Sequence, residues 1–159
     1  MESSEVPAPA VGDGGGASGQ AARPFDVRRF CRRALLEGLN GRLGLQYLSH
    51  DSSHVELFLP GSRSGGKASG WSLQDDGLIM ALLDMAGTLS VWAAAGKFRP
   101  HATLDMRVDH LDGLRPGEAV RGRAGCYFLD ARVASVRGSA RTDQGREVAS
   151  FAATYMFTG

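Results

Sequence analysis

Between Leu78 and Ala95 the chain reads LIMALLDMAGTLSVWAAA, eighteen residues with a single charge, Asp84. No other segment restricts the fold so strongly. By length alone the run reaches the lower edge of what spans a bilayer, yet Asp84, Gly87, Thr88 and Ser90 interrupt it. An ordinary surface helix would carry a polar stripe at a period near 3.6, and none of consequence is present. The best-fitting reading is a helix covered on nearly all sides by a sheet.

A sheet is what the following sequence predicts. From His101 to Leu111 the period drops to 2, with Ala102, Leu104, Met106 and Val108 alternating with Thr103, Asp105, Arg107 and Asp109. Leu114-Arg115-Pro116-Gly117 makes a turn. Glu118 to Phe128 reads as a second strand and Ala131 to Arg141 as a third, joined tightly at Leu129-Asp130. Thr142 to Arg146 turns the chain again, with Gly145 suited to a positive φ. In the last strand, Glu147 to Phe157, Val148, Ser150, Ala152 and Thr154 oppose Ala149, Phe151, Ala153 and Tyr155. A helix followed by an antiparallel meander gives an α+β domain with the helix on one sheet face.

Upstream, Asp26 is read as the cap of a helix running to about Gly38 or Gly41. Phe30, Ala34, Leu35 and Leu39 fall at helical spacing, and the arginines between them face water. Leu43 to Pro60 reads as extended around Val55-Glu56-Leu57-Phe58-Leu59. A mobile surface loop is expected at Gly61 to Gly66 and a short extended piece at Ala68 to Leu73. Residues 1–24 open with Glu2 and Glu5, lack an apolar core and turn to Gly, Ala, Ser and Pro, which reads as a disordered tail rather than a targeting peptide. Residues 25–159 are left as one domain.

Lys and Arg number 18 against 17 Asp and Glu, so no net field draws nucleic acid or an anionic membrane to the chain. Cys31 and Cys126 fit neither a disulfide framework nor a zinc pattern, which suggests reduced thiols and a cytoplasmic location. His50, His54, His101 and His110 have no ligand spacing, so no metal is expected. A Gly-x-Ser-x-Gly element is absent, against a serine hydrolase of the α/β type.

The order of a short helix, a strand region, a long apolar helix and four strands resembles the hotdog fold, an antiparallel sheet wrapped around one long central helix. It is similar in particular to the thioesterase group related to the phenylacetate-pathway thioesterase. That group carries His-Gly-Gly at the start of the central helix and an acid nine residues after the His. Here Leu82-Leu83-Asp84-Met85-Ala86-Gly87 supplies the acid, and nine places back stands Asp75, so the motif reads Asp75-Asp76-Gly77. Ala102 to Leu111 looks like the family's next strand. Arg115-Pro116-Gly117-Glu118 and Asp143 to Ala149 look like its turns. The resemblance implies an acyl-CoA thioesterase that needs no cofactor. It also implies a homodimer, or a homotetramer built as a dimer of dimers, in which the helix start of one subunit meets the acid of the other.

Thioester hydrolysis requires an activated water or a nucleophile, a donor for the carbonyl oxygen, and room for the acyl group. Asp84 answers the first need as base or nucleophile, since a carboxylate within an apolar helix is costly unless stabilised or used. Its plainer reading is a hydrogen bond to backbone or to a partner helix. The helix start answers the second need through its N–H groups and positive dipole end. The family gives this role to the first motif glycine, whose place Asp76 takes, with Gly77 beside it. Asp75 and Asp76 are read equally as acids that stabilise a helix N-terminus. Thr103 matches a family position near the attacking water, or is simply a β-branched strand residue.

Asp75 and Arg132 are assigned to substrate binding, with Arg132 aimed at the coenzyme A phosphates. Arg99, Arg107, Arg115, Arg121, Arg123 and Arg137 are also available, and solvated edge residues explain most of them. Trp71, Trp92, Phe98 and Met80 suit an acyl tunnel or a core equally well. Ala81, Ala86, Gly87 and Ser90 permit close helix packing. Gly77 and Asp84 are seven residues apart, about 10 Å along a helix axis, too far for one carbonyl to touch both in one chain. Two other functions stay open: an acyl- or acyl-CoA-binding hotdog protein without hydrolysis, suggested by the altered motif, and a membrane protein anchored by Leu78 to Ala95.

Overall fold

A computed structural model describes residues 25–61, 76–115 and 117–158, with the side chain of Asp76 left undescribed. The expected tail, the Ala68 to Leu73 piece, Trp71, Asp75 and most of the Gly61 to Gly66 loop lie outside the described residues. In chain order the elements are α1 (Val27–Ala34), α2 (Gly38–Leu43), β1 (Gln46–His50), β2 (His54–Leu59), α3 (Asp76–Ala95), β3 (His101–His110), β4 (Val120–Leu129), β5 (Val133–Thr142) and β6 (Glu147–Phe157).

The first helix departs from its sequence reading. Asp26 caps it as expected, its carboxylate accepting the Arg29 N–H at 2.9 Å. The helix then breaks after Ala34, and α2 starts at Gly38, whose φ of +61° suits glycine. At Gly41 a Cβ would run into the Leu36 carbonyl. These two glycines permit a tight corner that apolar spacing does not reveal. As a result Leu39, placed in the buried stripe, is exposed. The extended region Leu43 to Pro60 is a hairpin turned by Asp51, whose Oδ1 accepts the N–H groups of Ser53 and His54 at 2.9 and 2.8 Å. Those two bonds hold the Asp51 carboxyl down at about 2.

The six strands form one antiparallel sheet in the order β1-β2-β4-β5-β6-β3. Helix α3 lies on one face, against β4, β2, β5, β6 and β3. Leu78, Leu82, Leu83 and Leu89 are fully buried there among Leu57, Val120, Val136 and Tyr155. Each such leucine contributes roughly 1.5–3 kcal/mol by leaving water. Gly122 of β4 makes room for Leu82, since a Cβ at that position would lie 2.7 Å from Leu82 Cγ.

The sheet does not cover α3 on nearly all sides. Gly77 and Met80 are exposed, and Ala81, Asp84, Met85 and Thr88 are half-buried, which leaves an open stripe at helical spacing. One sheet can cover only one side of a helix. Of the small residues, Ala86, Gly87 and Ser90 point into the chain's own core, and only Ala81 lies on the open stripe. Helix α3 is long and apolar enough to cross a membrane by length and composition, but it serves as the core helix of this domain.

Strand β3 also departs from simple alternation. Thr103 pairs with Tyr155 and Asp105 with Thr154, so Leu104 is an extra residue in a bulge. Before the bulge the odd residue Thr103 shares a face with buried Tyr155. After it the even residues Met106 and Val108 turn toward the core. Ala102 and Leu104, read as part of the apolar face, are exposed. Strand β6 follows its expected alternation from Ala149 to Tyr155, while Val148, assigned to the opposite face, is buried beside a register shift.

Candidate active site

Asp84 sits on the open stripe of α3, at its border with the sheet. Its Oδ1 accepts the Thr103 hydroxyl at 3.0 Å and the Tyr155 hydroxyl at 3.2 Å. The Tyr155 hydroxyl also lies 3.2 Å from the Asp84 carbonyl oxygen, sharing its one proton between the two acceptors. Both hydroxyl bonds to the carboxylate therefore end on Oδ1. Three elements build this cluster: α3 supplies the acid, the bulged start of β3 the threonine, and the end of β6 the tyrosine.

Tyr155 is buried, and burial first, then the neighbouring Asp84 charge, raises its phenol above the ordinary value of 10.0. The phenol thus keeps its proton and acts as a donor to the carboxylate. It reaches Asp84 by passing over Gly87, where a Cβ would run into the hydroxyl and lie 2.9 Å from Phe151 Cζ. In the sequence Tyr155 is one residue on one face of an alternating strand, with nothing to single it out. The usable signal was its position opposite Thr103, which needs the strand register.

Beside the cluster lies His101. Its ring packs against Trp92, Tyr155 and Phe157 with centroids 5.2, 5.1 and 6.0 Å away. Nδ1 lies 3.0 Å from the Arg99 carbonyl, and the buried Nε2 has no hydrogen-bond partner among the described residues. Because a carbonyl only accepts, the proton belongs on Nδ1. Burial pushes the imidazole below its ordinary value of 6.5, with the Arg99 carbonyl and Asp84 opposing that shift. The same Arg99 carbonyl accepts Trp92 Nε1–H at 2.7 Å.

The other sequence-assigned residues divide. Asp76 and Gly77 open α3, seven residues or more from Asp84, so a single chain does not bring the helix start to the acid. Asp75 lies outside the described residues. Arg132 is exposed in the β4–β5 connection, where Asp130 Oδ1 accepts the N–H groups of Arg132 and Val133. The Arg132 carbonyl accepts Phe157 N–H at 2.9 Å, which puts this connection at the same sheet end as Tyr155.

Arg99 has a structural task instead. Its guanidinium lies 3.4 Å from the Phe157 ring centroid and donates to the carbonyls of Asp130 and Ala131. Arg107 and Arg121 pair with Asp109 and Asp143. Trp92 packs with Phe25, Phe30 and Phe98, tying α1 to the C-terminal part of α3. A cleft of about 880 Å³ runs along α1 past Phe25, Arg29, Phe30 and Arg33, away from Asp84. Among the described residues, no group of three or more His, Cys, Asp or Glu is placed to hold a metal ion.

The sequence profile of the thioesterase superfamily matches residues 76–149, from the start of α3 into β6. No curated protein matches the chain. Among solved structures, a Pseudomonas aeruginosa protein is 29% identical with a TM-score of 0.65, covering 82% of this chain and 95% of its own. A thioesterase from Haemophilus influenzae is 18% identical with a TM-score of 0.67, covering 86% and 93%. The PaaI protein of the phenylacetic acid degradation operon of E. coli is 14% identical with a TM-score of 0.69, covering 84% and 94%.

Proposed function

Because residues 76–149 match the thioesterase superfamily and the hotdog fold supports acyl thioester hydrolysis, we propose that the chain hydrolyses an acyl-CoA with Asp84 as the reacting carboxylate. The observation that carries this reading is the held carboxylate: Oδ1 is fixed by Thr103 and Tyr155, while Asp84 stands half-buried on the open stripe of α3. Acting as base, it takes a proton from a water that attacks the thioester carbonyl. The C–S bond then breaks, and the proton passes to the departing thiolate, giving acid and free thiol. Acting as nucleophile, it displaces the thiolate, so that the C–S bond breaks as an anhydride forms. Water then opens the anhydride, releasing the acid and the Asp84 carboxylate while a proton goes to the thiolate.

The carbonyl oxygen is polarised by the backbone at Asp76-Gly77, the positive end of the α3 dipole, from a second subunit. The rise of about 10 Å between Gly77 and Asp84 argues for that second subunit. So do the open stripe of α3 and the edge of β3 that is unpaired among the described residues, where Leu104 is 61% exposed. The working unit in this reading is a homodimer, alone or doubled to a tetramer, in the cytoplasm. Arg132, at the sheet end near Tyr155, serves the coenzyme A phosphates.

A second reading, binding without hydrolysis, is favoured by Asp76, which places a carboxylate-bearing residue where the family has glycine. Thiol release from a panel of acyl-CoAs by the wild type and Asp84→Asn decides between them. Turnover lost in Asp84→Asn supports hydrolysis. Equal turnover removes Asp84 from the reaction, and ligand binding with no turnover in either favours the second reading.

A further inference from the structure

We infer that Tyr155 is the positioning residue that fixes which oxygen of Asp84 reacts, and that Gly87 exists to let its hydroxyl through. The inference rests on Asp84 being the reacting group. Its grounds are geometric. A carboxylate on a helix turns about its χ angles and presents either oxygen unless donors hold it. Here Thr103 and Tyr155 both donate to Oδ1, from strands paired at that very position. Among the described residues no hydrogen bond reaches Oδ2, and Oδ2 is the oxygen assigned to the reactant.

The two donors are unequal. Thr103 is exposed and short, and water competes for its hydroxyl. Tyr155 is fully buried, flanked by His101 at 5.1 Å, and its hydroxyl also engages the Asp84 carbonyl. A phenol anchored in the core keeps its direction when the exposed donor moves. Its path crosses α3 at Gly87, which has no side chain. Any Cβ there would push the hydroxyl away from Asp84.

Tyr155→Phe, Gly87→Ala and their combination are compared with wild type and with Asp84→Asn, by steady-state thiol release and thermal unfolding of the purified protein. Losing one hydrogen bond to a charged group lowers kcat by about tenfold or somewhat more, with KM unchanged. Gly87→Ala gives a similar loss in the tyrosine background and little further loss once Tyr155 is Phe, because no hydroxyl remains to displace. Gly87→Ala also crowds Phe151. If it fails to fold, Thr103→Val replaces it in the same cycle, where two donors to one oxygen must couple.

Three outcomes overturn the inference: wild-type kcat in Tyr155→Phe, losses that simply add in the cycle, or losses that track thermal stability alone. Each of these, with Asp84→Asn inactive, leaves the hydrolytic reading standing. If Asp84→Asn turns over normally, the hydrolytic reading itself fails.

Discussion

Thr103 and Tyr155 stand directly opposite one another on β3 and β6, and both hydroxyls end on the same oxygen of Asp84. This meeting depends on the bulge at Leu104. In an unbulged strand Thr103 would share its face with Asp105 and Arg107, and a sheet that buried Met106 and Val108 would turn it away from α3. The bulge lets the polar start of β3 serve the acid while the rest of the strand serves the core.

Thr103 is therefore expected to matter to rate rather than to folding. Thr103→Val keeps the shape and removes the donor, so kcat should fall by roughly tenfold at unchanged KM. The side chain is exposed, and the stability change should stay within about 0.5 kcal/mol. Thr103→Ser keeps the hydroxyl and should recover most of the loss. Thiol-release kinetics beside thermal unfolding test both statements, and an unchanged kcat in Thr103→Val would show that this hydrogen bond is incidental.

Gly122 gives a stability prediction independent of the chemistry. A Cβ there would stand 2.7 Å from Cγ of Leu82, a fully buried side chain. Overpacking of this kind costs about 1–3 kcal/mol, so Gly122→Ala should lower Tm by several degrees. In a Leu82→Ala background the new methyl enters vacated space, and the penalty should shrink or vanish. An equal Tm loss in both backgrounds would mean that backbone conformation, not Leu82, requires the glycine.

His101 makes stability depend on pH. Its folded-state value lies below the unfolded one, with burial as the main cause. The unfolded chain then binds more protons in the window between the two values, so stability is full above about pH 6.5 and declines as pH falls through the folded value. His101→Phe keeps a ring against Trp92 and Tyr155 and removes the titrating group. Denaturant midpoints measured from pH 7.5 to 5 should fall less steeply in the variant. Identical slopes would assign the acid sensitivity to other groups.

The central helix and its acid were legible because eighteen residues with one charge admit few environments, and because the period changed sharply after Ala95. The limits of β6 were legible for the same reason. The resemblance marks Thr103 only as a position near the attacking water, and its hydrogen bond to Asp84 needs the structure to be seen. Leu104 hid its bulge, since Ala102, Leu104, Met106 and Val108 look like one continuous apolar face and a bulge needs the partner strand to be seen. Tyr155 hid because a buried tyrosine in an alternating strand needs no special role. The corner between α1 and α2 hid because Leu35 and Leu39 keep helical spacing across it, while only Gly38 and Gly41 record the break.

Leu104 carries the last prediction. Among the described residues β3 pairs only with β6, so its other edge is open, and Leu104 is 61% exposed upon it. An apolar side chain on an unpaired edge invites pairing with another chain, and edge lysines are the usual means of preventing it. If the working unit is a dimer joined along β3 and the open stripe of α3, Leu104→Lys should shift the mass seen by light scattering from twice 16.8 kDa, or four times, toward 16.8 kDa. Thermal unfolding should then depend on protein concentration only at higher concentrations than for wild type. Because Asp84 would lose the helix start that faces it, turnover should fall in step with the dimer fraction as the protein is diluted. A monomer with full turnover would instead mean that one chain supplies its own carbonyl donor, and the composite site would have to be abandoned.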